Sequence, residues 1–173
     1  MFSHRDATIN DVALIRSLAD GVWQATYANI LSPEQIEYMF EMMYSYENLT
    51  MQMRDKHHHF IIVSLNGEPC AYISIEPIGA GRYNFQKIYA RREVQGRGVG
   101  RYMIEQGIDW VQRSEALCAT ATDGKVVVEL FVNRLNPAVG FYRRMGFEIV
   151  DTRDHAIGNG FYMNDYIMEM SLG

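Results

Sequence analysis

Apolar positions along the chain keep a helical rhythm at first and an alternating one later. Residues 2–7 suit a short opening strand, and Thr8 with Asp11 three positions on forms a capping box at a helix start. Val12, Ile15, Leu18, Ala19, Val22, Trp23, Tyr27 and Ile30 then hold the spacing of one helical face. Ser32-Pro33-Glu34-Gln35 is a second start, with Ser as cap, Pro in the first turn and Gln closing the box. Ile36, Met39, Phe40 and Met43 supply the apolar face of that helix, and Ser45 caps a third, short one with Leu49 and Met53 inward.

From there the period is two. His59–Leu65 and Cys70–Glu76 alternate on either side of Asn66-Gly67, a dipeptide that closes tight hairpins. Tyr83–Ala90 reads as the next strand, and Gly98 to about Glu115 as a helix with Val99, Tyr102, Met103, Gln106, Ile108 and Trp110 spread over a broad face. Val126–Val132 is apolar on both faces, which marks a central strand. Pro137 opens a helix capped by Asn136 and ended by Gly146, and Phe147–Asp151 and Phe161–Met170 are two strands around Gly158-Asn159-Gly160. The order predicts an α/β fold of the mixed α+β kind: a mixed, mostly antiparallel sheet of about six or seven strands with helices on both faces. With no repeat or linker-like tract, residues 1–173 read as one domain.

Composition narrows the class. At 48% hydrophobic and 21% charged residues the chain is globular in type and long enough for a core without staples. Cys70 and Cys118 alone exclude a disulfide framework, and each is expected to be a buried small apolar side chain. No apolar run approaches the roughly 18 residues of a membrane span, and the polar start MFSHRDATIND does not read as a secretory leader. A cytoplasmic protein without a membrane partner is expected. The net charge of −5 speaks against nucleic acid as a partner. That average conceals an asymmetry: residues 1–81 sum to −6, residues 82–101 to +5, and residues 102–173 to −4. A basic island in an acidic chain is a candidate anion site.

Inside the island lies Gln95-Gly96-Arg97-Gly98-Val99-Gly100-Arg101, between a strand and a helix. Glycines without Cβ atoms let the backbone turn sharply and approach a ligand, and the N–H groups of such a turn join the positive helix end as an anion cradle. A phosphate or pyrophosphate suits it. A P-loop would need Lys and then Ser or Thr after Gly100, where Arg101 and Tyr102 stand. A dinucleotide fingerprint would need a third Gly at position 101, which is Arg.

With these residues the sequence resembles the GNAT superfamily of acetyl-CoA-dependent N-acetyltransferases. Gln95-Gly96-Arg97-Gly98-Val99-Gly100 satisfies that family's phosphate loop. A second feature follows downstream, in strand Val126–Val132, Asn133-Arg134-Leu135-Asn136-Pro137-Ala138 and Phe141-Tyr142-Arg143-Arg144-Met145-Gly146-Phe147. The resemblance covers nearly the whole chain. It implies that the N–H groups of residues 96–101 hold the CoA pyrophosphate, with Arg97 and Arg101 adding charge. It also implies a bulge in the strand before the loop, pairing of the pantetheine arm with main chain at Ile88, Tyr89 and Ala90, and an N–H there that polarises the thioester carbonyl. Asn136 would contact the pantetheine arm, with Asn133 the competitor, and Tyr142 would protonate the leaving thiolate. The implied activity is transfer of acetyl from acetyl-CoA to a small amine such as a polyamine. A peptide amine, or a non-catalytic acyl-CoA-binding module, is the alternative.

Other features stay open or apart. A general base must take a proton from the acceptor, and Glu76, Glu129 or a water chain are the candidates. His57-His58-His59 is read as a surface segment entering a strand, since neighbouring strand residues face opposite ways and cannot converge on one ion. The Met-rich second and third helices and the tail Phe161-Tyr162-Met163-Asn164-Asp165-Tyr166 are expected to form acceptor-site walls or a homodimer surface. Glu34, Glu37, Glu41 and Glu47 would favour a cationic acceptor.

Overall fold

The structure is a computed structural model that describes residues 1–117 and 125–172. Strand β1 (Phe2–Asp6) leads into helices α1 (Val12–Ala19), α2 (Val22–Tyr27), α3 (Pro33–Tyr44) and α4 (Tyr46–Arg54). Strands β2 (His59–Leu65), β3 (Glu68–Gly79) and β4 (Arg82–Ala90) follow, then α5 (Val99–Leu117), β5 (Val126–Asn133), α6 (Ala138–Met145), β6 (Glu148–Gly158) and β7 (Phe161–Leu172). The strands form one sheet in the order β1-β2-β3-β4-β5-β7-β6, antiparallel throughout except between β4 and β5. The expected mixed, mostly antiparallel sheet is therefore what forms, and β5 is internal as its two apolar faces require.

Alternation along the strands builds two cores. Phe60, Ile62 and Tyr72 face α1–α4 and pack with Trp23, Phe40 and Tyr44. Ile61, Val63, Ile73 and Ile75 face the other way, onto Met103, Ile104 and Val111 of α5 and Tyr142 of α6. Cys70 is buried in this second core; Cys118 lies outside the described residues.

Local signals explain most element starts, and the exceptions have physical reasons. The capping box forms, with the Thr8 N–H donating to Asp11 at 2.9 Å. Ser32 caps α3, but Gln35 does not close its box; its Nε2 donates instead to the Tyr162 carbonyl at 2.6 Å and ties α3 to β7. The helical run from Val12 to Ile30 breaks at Gly21, whose φ of +81° lies in the left-handed region, so α1 and α2 are separate. β6 continues to Gly158 rather than stopping at Asp151, because an edge strand exposed along most of its length needs no apolar alternation to mark it.

The histidine run is not wholly on the surface. His57 takes a φ of +56°, and the His58 N–H then donates to the Gln52 carbonyl at 2.9 Å, which carries the His58 ring under α4. The side chain of His58 is fully buried, 3.3 Å from the Glu76 carboxylate, and its pKa falls to about 3 through burial and the charges of Lys87 and Lys56. His59 stacks on Trp110 with ring centres 4.4 Å apart. Beside His58, buried Lys87 donates to Gln52 at 2.8 Å and to Gln86 at 2.6 Å, and burial brings its pKa down to about 7.

Candidate active site

The site begins with a flaw in the sheet. β4 and β5 pair only where Arg82, Tyr83 and Asn84 meet Val127, Val128 and Glu129. Just beyond, Ser74 pairs with Lys87 and Ile75 with Phe85, so Gln86 is an extra residue in β4. Such a bulge bends and twists its strand, and the pairing of β4 with β5 ends there. On its other edge β4 stays bonded to β3 through the pairs Ala71–Ala90, Tyr72–Tyr89 and Ile73–Ile88. A length of β4 backbone is thus presented to a cleft of about 780 Å³ instead of to a neighbouring strand.

The glycine loop closes one end of this cleft. The Gln95 side chain donates to the Ala90 carbonyl at 3.0 Å, fixing the loop to the last residue of β4. Gly96 and Gly98 take φ of +78° and +87°, a backbone that side-chain-bearing residues rarely adopt. α5 starts immediately afterwards, and the N–H groups of its first turn, Val99 to Arg101, have no carbonyl four residues earlier in the helix. Gly100 has a different role: a Cβ there would meet the Phe141 ring at 2.8 Å, so its absence lets α6 lie against α5. Gln95, Gly96, Gly98, Val99, Gly100 and Arg101 all line the cleft, together with Ile88, Tyr89 and Ala90. Arg97 does not. It is exposed in a turn in which its N–H donates to the Val94 carbonyl, and Arg92 and Arg144 contribute cations to the wall in its place.

Opposite the loop, α6 presents Tyr142, buried among Phe141 and Phe147 and lining the cleft. Burial raises the pKa of its phenol, so the hydroxyl keeps its proton at neutral pH. α6 starts at Ala138, one residue later than the sequence implies, yet Asn136 still serves its first turn: Oδ1 accepts the Ala138 N–H at 2.9 Å. The Asn136 side chain lies on the cleft wall beside the Tyr27 hydroxyl. Asn133 is turned away, accepting the Leu135 N–H at 2.9 Å and lining a separate small cavity. Of the two asparagines, Asn136 lines the cleft and Asn133 does not.

Neither expected carboxylate reaches the cleft. Glu76 lies 3.3 Å from the neutral ring of His58, and Glu129 sits mid-sheet between Asn84 and Glu169. Sequence reasoning missed two groups that do sit at this end. Tyr27 lines the cleft, its hydroxyl 3.1 Å from that of Tyr89. Asp165 on β7 is 3% exposed and lines the small cavity behind Tyr27. The signal for Asp165 was present: in the alternating tail it shares a face with Phe161 and Met163, where an inward apolar residue is expected.

A glycine-rich helix start and a splayed strand pair thus line one cleft. The profile of the acetyltransferase (GNAT) domain matches residues 56–149, more than half of the chain. The chain belongs to the GNAT acetyltransferase family, which uses acetyl-CoA. Solved structures share the fold. The PaiA N-acetyltransferase of Thermoplasma acidophilum in complex with coenzyme A is 22% identical, covers 99% of each chain and has a TM-score of 0.79. The SpeG spermidine N-acetyltransferase of Vibrio cholerae, solved as a point mutant, is 19% identical, with 98% of this chain and 93% of that one covered and a TM-score of 0.65. The ribosomal-protein-S18-alanine N-acetyltransferase of Escherichia coli is 16% identical over 99% and 94%, with a TM-score of 0.66. No helix among the described residues is long and apolar enough to cross a membrane.

Proposed function

We propose that the protein moves the acetyl group of acetyl-CoA directly to a small amine of the polyamine class, both substrates being bound together. One observation carries this reading: the unpaired edge of β4, the glycine loop and Tyr142 share one cleft. The N–H groups of Gly96 and of Gly98 to Arg101 hold the pyrophosphate, helped by Arg101 and the cations of the wall. The pantetheine arm runs along Ile88, Tyr89 and Ala90 as an added strand, with Asn136 at its side. A β4 N–H polarises the thioester carbonyl as the amine nitrogen attacks its carbon. The C–S bond then breaks, and Tyr142 gives its proton to the departing thiolate. A phenol held protonated by burial is suited to that donation.

The polyamine assignment rests on charge. Glu34 and Glu37 are exposed on the α3 turns that carry Gln35 and Met39 to the cavity behind Tyr27, and Asp165 lies within. A fold shared with a spermidine acetyltransferase supports it. The Escherichia coli neighbour, which acts on a protein alanine, keeps a peptide amine as the second reading. Release of CoA thiol across a panel of spermidine, spermine, single amino acids and short peptides decides between them. Turnover on spermidine and spermine is expected. Turnover confined to peptides supports the second reading, and none on any amine leaves only a binding module.

A further inference from the structure

A primary amine reaches the site as an ammonium ion at neutral pH and must lose a proton before it can attack. We propose that Asp165 takes that proton through the hydroxyl of Tyr27, and is thereby the positioning residue that keeps the acceptor nucleophilic. The inference rests on the transferase reading above.

The carboxylate is built in and left short of partners. Its side chain is 4% exposed, and Oδ2 has no hydrogen-bond partner among the described residues. The sheet register sets Asp165 between Arg153 of β6 and Asn133 of β5, so two donors stand ready to satisfy it. Neither does. The Arg153 guanidinium lies over the Phe131 ring at 4.0 Å and comes no closer to Oδ2 than 3.9 Å. Asn133 is bent back to Leu135, and nearby Arg134 is taken by Asp154 at 2.7 Å. A buried carboxylate oxygen without a donor is costly to fold, which makes its retention informative.

The space around it points to the cleft. Asp165, Tyr27, Gln35, Met39 and Asn133 line a cavity of about 10 Å³, room for roughly one water. Tyr27 also lines the main cleft, where its hydroxyl meets Tyr89 and Asn136. Tyr27 is therefore the one side chain of this group that faces both the carboxylate and the acyl-transfer cleft. The charged and titratable groups facing Asp165 are Arg153 and His155 of β6, Arg134 after β5, and Tyr27 of α2. Burial outweighs the charges of Arg153 and Arg134 and raises the carboxyl pKa, strengthening it as a base.

The proton account closes. The ammonium N–H proton passes to the Tyr27 oxygen while the Tyr27 proton passes to Asp165 across one water in the small cavity. Ammonium and carboxylate become neutral amine and carboxylic acid, with no change in oxidation state. The freed nitrogen pair forms the C–N bond and the C–S bond breaks. Tyr142 protonates the sulfur and is restored by the second N–H proton, shed as the intermediate collapses. Asp165 releases its proton to solvent after the amide leaves.

The test is kcat against pH from 6 to 10, with spermidine and acetyl-CoA, for the wild type, Asp165→Asn and Tyr27→Phe. Both variants are expected to lose about 100-fold in kcat at pH 7. Neither should change the KM for acetyl-CoA, and both deficits should shrink as the pH nears about 10, where the amine deprotonates unaided. The double variant should be no worse than either single one. If Asp165→Asn does not fold, Tyr27→Phe, which keeps the ring, decides. A wild-type kcat in Tyr27→Phe, or a deficit equal at every pH, overturns the inference while wild-type turnover leaves the transferase reading standing. A wild type inactive on every amine removes both.

Discussion

Tyr142 is where sequence motif and structure meet most closely. It lines the cleft from α6, and burial keeps its phenol protonated. Tyr142→Phe should lower kcat by about 100-fold, with little change in the KM for acetyl-CoA, in a thiol-release assay. His58 makes a separate prediction about stability. Its folded pKa of about 3 lies below the ordinary 6.5, so between those values the unfolded chain binds a proton that the folded chain refuses. The neutral ring's contribution is whole above pH 6.5 and is lost as pH falls toward 3. Going from pH 7 to pH 5 should remove about 2 kcal/mol from the urea-unfolding free energy, and His58→Gln should flatten that slope; an equal slope in both proteins contradicts it. These residues also mark the boundary of what the chain spells out. Glycines and a tyrosine in a motif are legible because their spacing is local. The burial of His58 follows from the positive φ of His57 and the bond back to Gln52, and the orphaned oxygen of Asp165 from Arg153 lying over Phe131 instead of pairing, details of geometry that no residue pattern encodes.

At the scale of elements, the glycine loop, α5 and α6 act as one unit. Gly100 lets the two helices touch through Phe141, and the loop stays bound to β4 through Gln95. Gly100→Val would push Phe141 away or shift α6, carrying Tyr142 with it. A loss of roughly 1–3 kcal/mol of stability and at least about a tenfold rise in the KM for acetyl-CoA are expected, read by urea unfolding and steady-state kinetics. Most element starts were legible, because caps and turn glycines act locally: Thr8, Ser32, Ser45 and Asn66-Gly67 all do what their positions imply. The exceptions follow from longer-range or silent causes. The helical period of Val12–Ile30 runs through Gly21 unbroken, so only backbone geometry reveals two helices. The outer half of β6 carries no apolar stripe, because nothing covers it.

For the whole molecule, the split of charge along the chain is only partly a property of the cleft. Of the six cations in segment 82–101, Arg92 and Arg101 line it, joined by Arg144 from α6, while Lys87 is buried beside Gln52 and Arg82 pairs with Glu169. A ligand that binds only the folded state should stabilise it. Acetyl-CoA at a hundred times its Kd should add about 2.7 kcal/mol, and NAD, whose fingerprint the loop lacks, should add none in the same thermal-shift experiment. The central claim is direct transfer within one cleft, and initial velocities of thiol release with acetyl-CoA and spermidine both varied test it most directly. Double-reciprocal lines that converge, with no thiol release when amine is omitted, are predicted. Parallel lines, which signal an acetylated enzyme between two half-reactions, would contradict the account.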